Sequence, residues 1–534
     1  MRFARAALLC AVVLAVGVLL VSGGSDSGPQ TPAALPGLPP PFLGTTVSGD
    51  GGLTAAVDAY GDVVDLRPGP AGAALIDNPS DRQAAGTVPE DTGIVPRVDG
   101  KAMWEADAVS QRYLPGTNVV RTVARFGSRK VLMTTAATER TLAVSVRSQP
   151  KASLSLDVNV HGIRCAREGL AAQLDLVCGL GRAVPPVPAA AARNVVAGAT
   201  KEARRWLSRS RPLGAGDAPA GQAGPRPSSA DAPRWARAMY ERSLLAMHAL
   251  TSRETGAVAA GARDGWAYVW PRDAATAALA LEASGHRAEA RHVARFLTGL
   301  DLDAAARFTE SGAPVPGRPA QGDAFGWTAA AARATGVRPP RGPFAWRDRA
   351  DYQESSPGTY LANALAAGEA SERVLRTFGA HGGLVREADN PASGLDSAAA
   401  WAVRPFRRTP LYPAAERTLL RLTHAGTKYG ITPGEGWSGG NDPWSAPTAW
   451  SAWALAALWR PGVRDPRTNL PAVRERGGPS RRAALELLSD LRRAATPAGD
   501  LPERVGIHTG IPTSTTPLLW SSAFTVLALR ELWP

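Results

Sequence analysis

The apolar residues of this chain change period once, and that switch constrains the fold more than any other feature. From about Gly44 to Gly179, runs such as "LTAAVDAY", "VVRTVARF", "KVLMTTAA", "LAVSVRS" and "LSLDVNV" alternate apolar with polar residues between Gly, Asp and Asn turns. A period of two places alternate side chains on one face of a strand, so residues 43–180 predict a β-sandwich. From Pro233 onward the apolar residues recur three and four apart, as in "WARAMYERSLLAMHAL", "AEARHVARFLTGL", "RRAALELLSDLRRA" and "PLLWSSAFTVLALREL". About eleven such segments stand between Gly/Pro-rich loops. They predict a toroid of paired helices over residues 231–534. A ring of six inner and six outer helices needs one more, which is expected behind a blurred boundary. Residues 181–230 hold one predicted helix, "NVVAGATKEARRWLSRS", in a linker otherwise too rich in Pro and Gly to pack.

The first residues, "MRFARAALLCAVVLAVGVLLVSGG", carry Arg2 and Arg5 and then an apolar run from Ala6 to Val21. This is an export signal over residues 1–23. Its length fits both a cleaved signal peptide and an uncleaved anchor through residues 6–21, and both readings stay open. A Pro/Gly/Ser-rich tether follows over 24–42. The remainder is expected outside the cytoplasmic membrane. Cys165 and Cys178 then remain, and an oxidising compartment allows them either a disulfide or two buried thiols. The net charge of +13 comes with scarce Lys and with Asp and Glu interspersed among the Arg residues, without a basic stripe carrying aromatics. A nucleic-acid partner is therefore set aside.

Chemistry concentrates in the loops of the helical half. Nine of the fifteen tryptophans stand there in acidic or Gly-rich surroundings, Trp266, Trp270, Trp327, Trp437, Trp444 and Trp520 among them. An indole face suits the apolar face of a sugar ring, with Asp, Glu, Arg and Asn taking the hydroxyls. Trp450 and Trp453, at helical spacing, read as core. In "AYVWPRDAA", Pro271 pushes Trp270 toward extended backbone and opens a helix, which leaves Arg272 and Asp273 at its mouth. Such a pair can clamp vicinal hydroxyls, or Asp273 can simply cap the helix. Two further stretches, "DYQESSPGTYLANALAAG" and "AGDLPERVGIHTG", place Glu354 and Glu503 beside helical runs. Two carboxyls across one pocket are what glycoside hydrolysis needs, one to protonate the leaving oxygen and one to attack or activate water.

Taken in order, these stretches resemble glycoside hydrolase family 15, the glucoamylase, glucodextranase and bacterial trehalase group. The family's Tyr-x-Trp-x-Arg-Asp motif is similar to "YVWPRD", which implies that Tyr268, Trp270, Arg272 and Asp273 bind the terminal sugar. "QGDAFGW" resembles its Gln-x-Asp-x-x-Gly stretch and implies Asp323 and Trp327. "YQES" stands for its Trp-Glu general acid at Glu354, "GLDSAAAWAV" supplies Asp396, and "GGNDPWSAPTAW" matches its Asn-Pro-Trp loop at Trp444. "LPER" followed by "PLLWSSA" resembles its general base and the next helix, which implies Glu503 and Trp520. The resemblance runs over about residues 235–534, and the β-rich region resembles the sandwich of bacterial members. There are departures: Gln353 replaces a Trp, Arg504 replaces a Gln, and the toroid is short. Glu310 and Glu435 are therefore alternatives for the acid.

The resemblance implies an inverting α-glycosidase that releases glucose from the non-reducing ends of an oligosaccharide or polysaccharide. Burial is expected to keep Glu354 protonated, and donors near Glu503 to keep it ionised. The rival is a carbohydrate-binding envelope protein that keeps the fold and has lost turnover. "GWSGG" around Ser438 mimics a serine-hydrolase elbow, but "TKYGITPGE" before it is too polar to be the buried strand that elbow needs. No cofactor and no transition metal are expected; calcium, which needs only loop oxygens, is left open.

Overall fold

The structure, a computed structural model, describes residues 45–77, 93–170, 172–181, 188–214, 232–341, 346–353, 357–459 and 478–534. The export segment, the tether, residues 182–187 and 215–230 of the linker, and Glu354 lie outside the described residues. Among those residues no helix is long and apolar enough to cross a membrane.

Two antiparallel sheets form the N-terminal half. One runs in spatial order Thr46–Ser48, Leu53–Val57, Val63–Pro68, Gly93–Val98 and Leu154–Asn159, with Ile76–Asp77 and Lys101–Ala102 beside that path. The other runs Arg164–Leu170, Gln173–Gly179, Thr141–Gln149, Arg129–Ala137, Val120–Phe126 and Ala108–Tyr113. Cys165 and Cys178 face each other across the first two strands of that second sheet and are joined by a disulfide.

The first sheet is shared between two cores. Leu53, Ala55, Val57 and Val63 point into the sandwich with Val131, Leu142 and Leu176 of the second sheet. Val47, Ala56 and Val64, on the opposite face, belong to the core of the helical half. Strand alternation thus sends successive side chains into different domains, and Leu53–Val57 is buried at every position. Polar contacts add to this. Tyr113 Oη donates to Asp500 Oδ2 (2.7 Å), and the Arg242 guanidinium lies 3.7 Å from the Tyr113 ring centre.

The described helices are α1 (Pro188–Ser208), α2 (Arg234–Ala249), α3 (Pro271–Ala283), α4 (Arg287–Thr298), α5 (Ala324–Thr335), α6 (Leu361–Ala367), α7 (Ser371–Phe378), α8 (Ala399–Val403), α9 (Tyr412–Ala425), α10 (Ser445–Trp459), α11 (Pro479–Ala494) and α12 (Leu519–Leu532). Helix α1 lies on the outer face of the second sheet, where Ala192, Val195 and Ala199 cover Val119, Ala136, Ala143 and Val177.

The rest make the toroid. Helices α3, α5, α6, α8, α10 and α12 pack each on the next and close an inner ring, while α2, α4, α7, α9 and α11 lie outside it. Sequence pattern separates the two sets. Outer α4 buries Ala290, Val293, Ala294 and Leu297, a stripe at three- and four-residue spacing, whereas inner α10 buries every residue from Ser445 to Leu458. Small residues let the inner helices approach: a Cβ on Gly326 of α5 would stand 2.0 Å from the Ala366 carbonyl of α6. Among the described residues there is no outer helix between α5 and α6. The chain there, with Pro339 and Pro340, is irregular wherever it is described.

Candidate active site

Pro271 at the first position of α3 fixes the helix start, and Trp270 before it is extended, with φ −95° and ψ 128°. Asp273 therefore stands in the first turn and is not the cap. The openings of the other inner helices gather at the same pole: Asp323 precedes α5, Asp396 precedes α8, Trp444 precedes α10 and Trp520 lies in the first turn of α12. Between them is a cavity of about 320 Å³ lined by Trp266, Trp270, Arg272, Asp273, Tyr352, Gln353, Trp437, Trp444, Glu503, Ser514 and Trp520, among others. This is the small end of the ligand-pocket range. Its walls are largely indole, with a few polar groups converging.

Arg272 is the polar centre. Its Nη1 donates to Gln321 Oε1 (2.8 Å) and Asp323 Oδ2 (3.0 Å), its Nη2 lies 3.4 Å from Asp273 Oδ2, and its guanidinium stacks 4.4 Å from the Trp520 ring centre. Asp273 Oδ2 accepts no hydrogen bond, although it is buried at the cavity wall. Burial, opposed by Arg272 and reinforced by the charges of Asp323 and Glu503, pushes the Asp273 carboxyl up to about 7. A protonated Asp273 can donate to a sugar oxygen while Arg272 holds it in place.

Glu503 lies in a loop fixed on both sides by backbone: its N–H donates to Thr515 O (2.9 Å), and Ser445 N–H donates to its carbonyl (2.9 Å). The carboxylate accepts from Trp266 Nε1 (3.4 Å) and from Ser514 Oγ. Burial outweighs these donors and the Arg504 and Arg318 charges, so the Glu503 carboxyl sits above its usual value. The donors expected beside Glu503 are there, and desolvation of the buried carboxyl is the larger effect on its pKa.

The remaining expected site residues divide. Trp270, Trp444 and Trp520 line the cavity, and Tyr268 lines a larger crevice beside it. Trp327 does not reach the cavity. It is 0% exposed and packs edge-on against Trp401, Phe406 and Phe524, so it is core rather than a sugar platform. Asp323 is likewise fully buried and acts on Arg272. Asp396 is spent on Arg386 Nε (3.0 Å), the Ala398 N–H (2.7 Å) and the Tyr352 hydroxyl (3.3 Å), and it orients Tyr352 at the cavity wall. Neither alternative acid survives. Glu310 accepts from Ala71 N–H (3.0 Å) and Thr255 Oγ1 (2.9 Å), a tie between the two domains, and Glu435 pairs with Arg421 (2.9 Å) outside the cavity. Ser438 is exposed in a turn, without strand or helix beside it. Glu354 lies outside the described residues, directly after Gln353 in the chain. Gln321, Tyr352, Ser514, Arg307 and Arg318 were not expected. "QGDAFGW" and "YQES" contained the first two, and the others stand in stretches without a chemical signature.

The sandwich, the closed inner ring and a cavity at the ring's helix openings define a two-domain, glycosidase-type (α/α)6 architecture. Over 96% of this chain and 96% of the other, the structure superposes on a bacterial glucoamylase complexed with acarbose, with TM-score 0.64 at 12% identity, and the fold is thus that of the family 15 glucoamylases. Weaker likenesses cover little more than half of this chain: a glucoamylase from Saccharomycopsis fibuligera (14% identity, 57% of this chain and 96% of that one, TM-score 0.44) and a wild-type glycosidase (20%, 56% and 98%, TM-score 0.44). No family model and no curated relative matches the sequence.

Proposed function

We propose that this chain is an exported, inverting α-glycosidase that removes single glucose units from the non-reducing ends of α-linked oligosaccharides or polysaccharides. The observation that carries this reading is the placement of Glu503 on the wall of a small indole-lined cavity that also holds the Arg272–Asp273 pair. The bacterial glucoamylase of the same fold takes acarbose. Here the terminal sugar would stack on the cavity indoles, with its hydroxyls meeting Arg272 and Asp273. Glu503, held by Ser514 and Trp266, would take a proton from the attacking water. Glu354, next in the chain after Gln353, is assigned the proton donation to the leaving oxygen. Export is proposed to use residues 1–23, cleaved or kept as an anchor.

The test is incubation of the purified full chain with α-1,4- and α-1,6-linked gluco-oligosaccharides and trehalose, with the first-formed anomer read by proton NMR. Release of β-glucose is expected, slowed by roughly two to four orders of magnitude in Glu503→Gln. Saturable sugar binding without turnover on any substrate would instead make this a carbohydrate-binding protein, a reading favoured by Gln353 standing where the family it resembles has Trp.

A further inference from the structure

We propose that the substrate is anionic beyond its terminal sugar, and that Arg307, Arg318 and Arg504 receive the negative group at the mouth of the cavity. This rests on the glycosidase reading above and adds a substrate class to it. The small cavity shares Gly265, Trp266, Arg504 and Ser514 with a crevice of about 1220 Å³, bordered by the Arg67–Asp77 stretch of the sandwich and by Tyr268, Arg307 and Thr309 of the toroid. Any substrate longer than one sugar passes from the first into the second. Arg504 lines both, Arg318 lines the cavity and Arg307 lines the crevice.

The arginines are held there by structure. Arg307 and Arg318 lie on the two arms of one hairpin, tied by Val315 N–H to Arg307 O (2.9 Å) and Ala306 N–H to Arg318 O (3.4 Å). Arg307 donates to Gly265 O (3.3 Å) and lies over Tyr268, 4.8 Å from its ring centre. Arg504 lies 5.7 Å from the ring centre of Trp444. Burial and the neighbouring Arg307 charge work against protonation of Arg318, while the Glu503 carboxylate favours it.

Elsewhere this protein answers its buried guanidinium groups with carboxylates: Arg272 with Asp323, Arg67 with Asp65, Arg386 with Asp396. Among the described residues, neither Arg307 nor Arg504 has such a partner within ion-pair distance, and the Nε of each is buried without a hydrogen bond. The carboxylates of the crevice lie by other groups. Glu310 is taken by Ala71 and Thr255, Glu254 adds its charge to that of Glu310, and Asp77 acts on Arg67. A neutral glucan would leave Arg307 without a counter-charge at the crevice, whereas a carboxylate or phosphate there forms charge-assisted hydrogen bonds with it. Arg504 is also the residue that replaces a neutral Gln in the family this chain resembles.

The test uses pairs that differ only in charge at the leaving end: maltobionate against maltitol, isomaltobionate against isomaltitol, and maltose 1-phosphate against maltose. The full chain is expected to prefer the charged member by roughly tenfold or more in kcat/KM. The preference should shrink as NaCl is raised and fall severalfold in Arg504→Gln and in Arg307→Gln. Which charged member wins identifies the oxyanion. Turnover of neutral and charged members within twofold of each other would overturn the collar and leave the glycosidase reading standing. If no pair is hydrolysed, that reading fails, and titration calorimetry of maltobionate and maltitol decides the collar alone: preferential binding of maltobionate supports it, and equal or absent binding overturns it.

Discussion

Replacing Asp273 by Asn should make the protein more stable than the wild type above neutral pH while removing its function. The Asp273 carboxyl is raised from 3.8 to about 7, chiefly by burial. Between those values the folded chain holds a proton that the unfolded chain has released. Wild-type stability from this group is therefore fully present below about pH 4 and falls as pH rises toward 7. At 1.36 kcal/mol per unit, the loss is of the order of 4 kcal/mol. Asparagine mimics the protonated carboxyl and carries no such penalty. With an unfolding entropy of about 2.1 cal/mol/K per residue, the gain is roughly 7 °C in Tm if the toroid melts alone and roughly 4 °C if the whole chain melts together. Melting curves from pH 4 to 8 should show the two proteins together at pH 4 and the variant above the wild type at pH 8. Parallel curves, or a variant less stable throughout, would refute the reasoning that burial at the cavity wall holds a proton on Asp273. Loss of glucose release in the stabler protein would mark Asp273 as kept for function at a cost in stability.

Other substitutions test the division between the cavity and its support. Ser514→Ala removes a donor to the Glu503 carboxylate; since the base works ionised, the acid limb of the pH–rate profile, already expected above 4.5, should move further up. An unmoved limb would mean that Ser514 does not tune the base. Trp327→Ala should destabilise by roughly 3–5 kcal/mol by leaving a void among Trp401, Phe406 and Phe524, with KM little changed in the protein that stays folded. A selective rise in KM would return Trp327 to the sugar site. Glu310→Gln weakens acceptors for Ala71 and Thr255, so limited proteolysis should detect a looser seam between sandwich and toroid, at a loss of about 1–3 kcal/mol.

What the sequence by itself determined follows from local rules. Alternation in "KVLMTTAA" and "LAVSVRS" makes strands wherever those strands end up, and the three- and four-residue spacing of "AEARHVARFLTGL" marks an outer helix because only one of its faces meets apolar neighbours. Pro271 could be read as a helix start from its own backbone restriction, whereas Arg272, Asp273 and Glu503 were legible as cavity residues through the resemblance of "YVWPRD" and "LPER" to a known family's motifs. Tertiary structure decided what depends on residues far apart. Trp270 and Trp327 both stand in Gly- or Pro-marked motifs, yet one lines the cavity and the other is sealed beneath it, since burial depends on which inner helices close the ring. Asp323 and Asp396 were legible as site carboxylates, but the guanidinium that each one meets fixed them as supports. Inner α10, buried at every position from Ser445 to Leu458, gave no periodic signal for its own packing direction. Ser514, Arg307 and Arg318 carry no local pattern at all. They became part of the site only when their loops were brought beside Glu503 and the crevice, and no spacing along the chain encodes that juxtaposition.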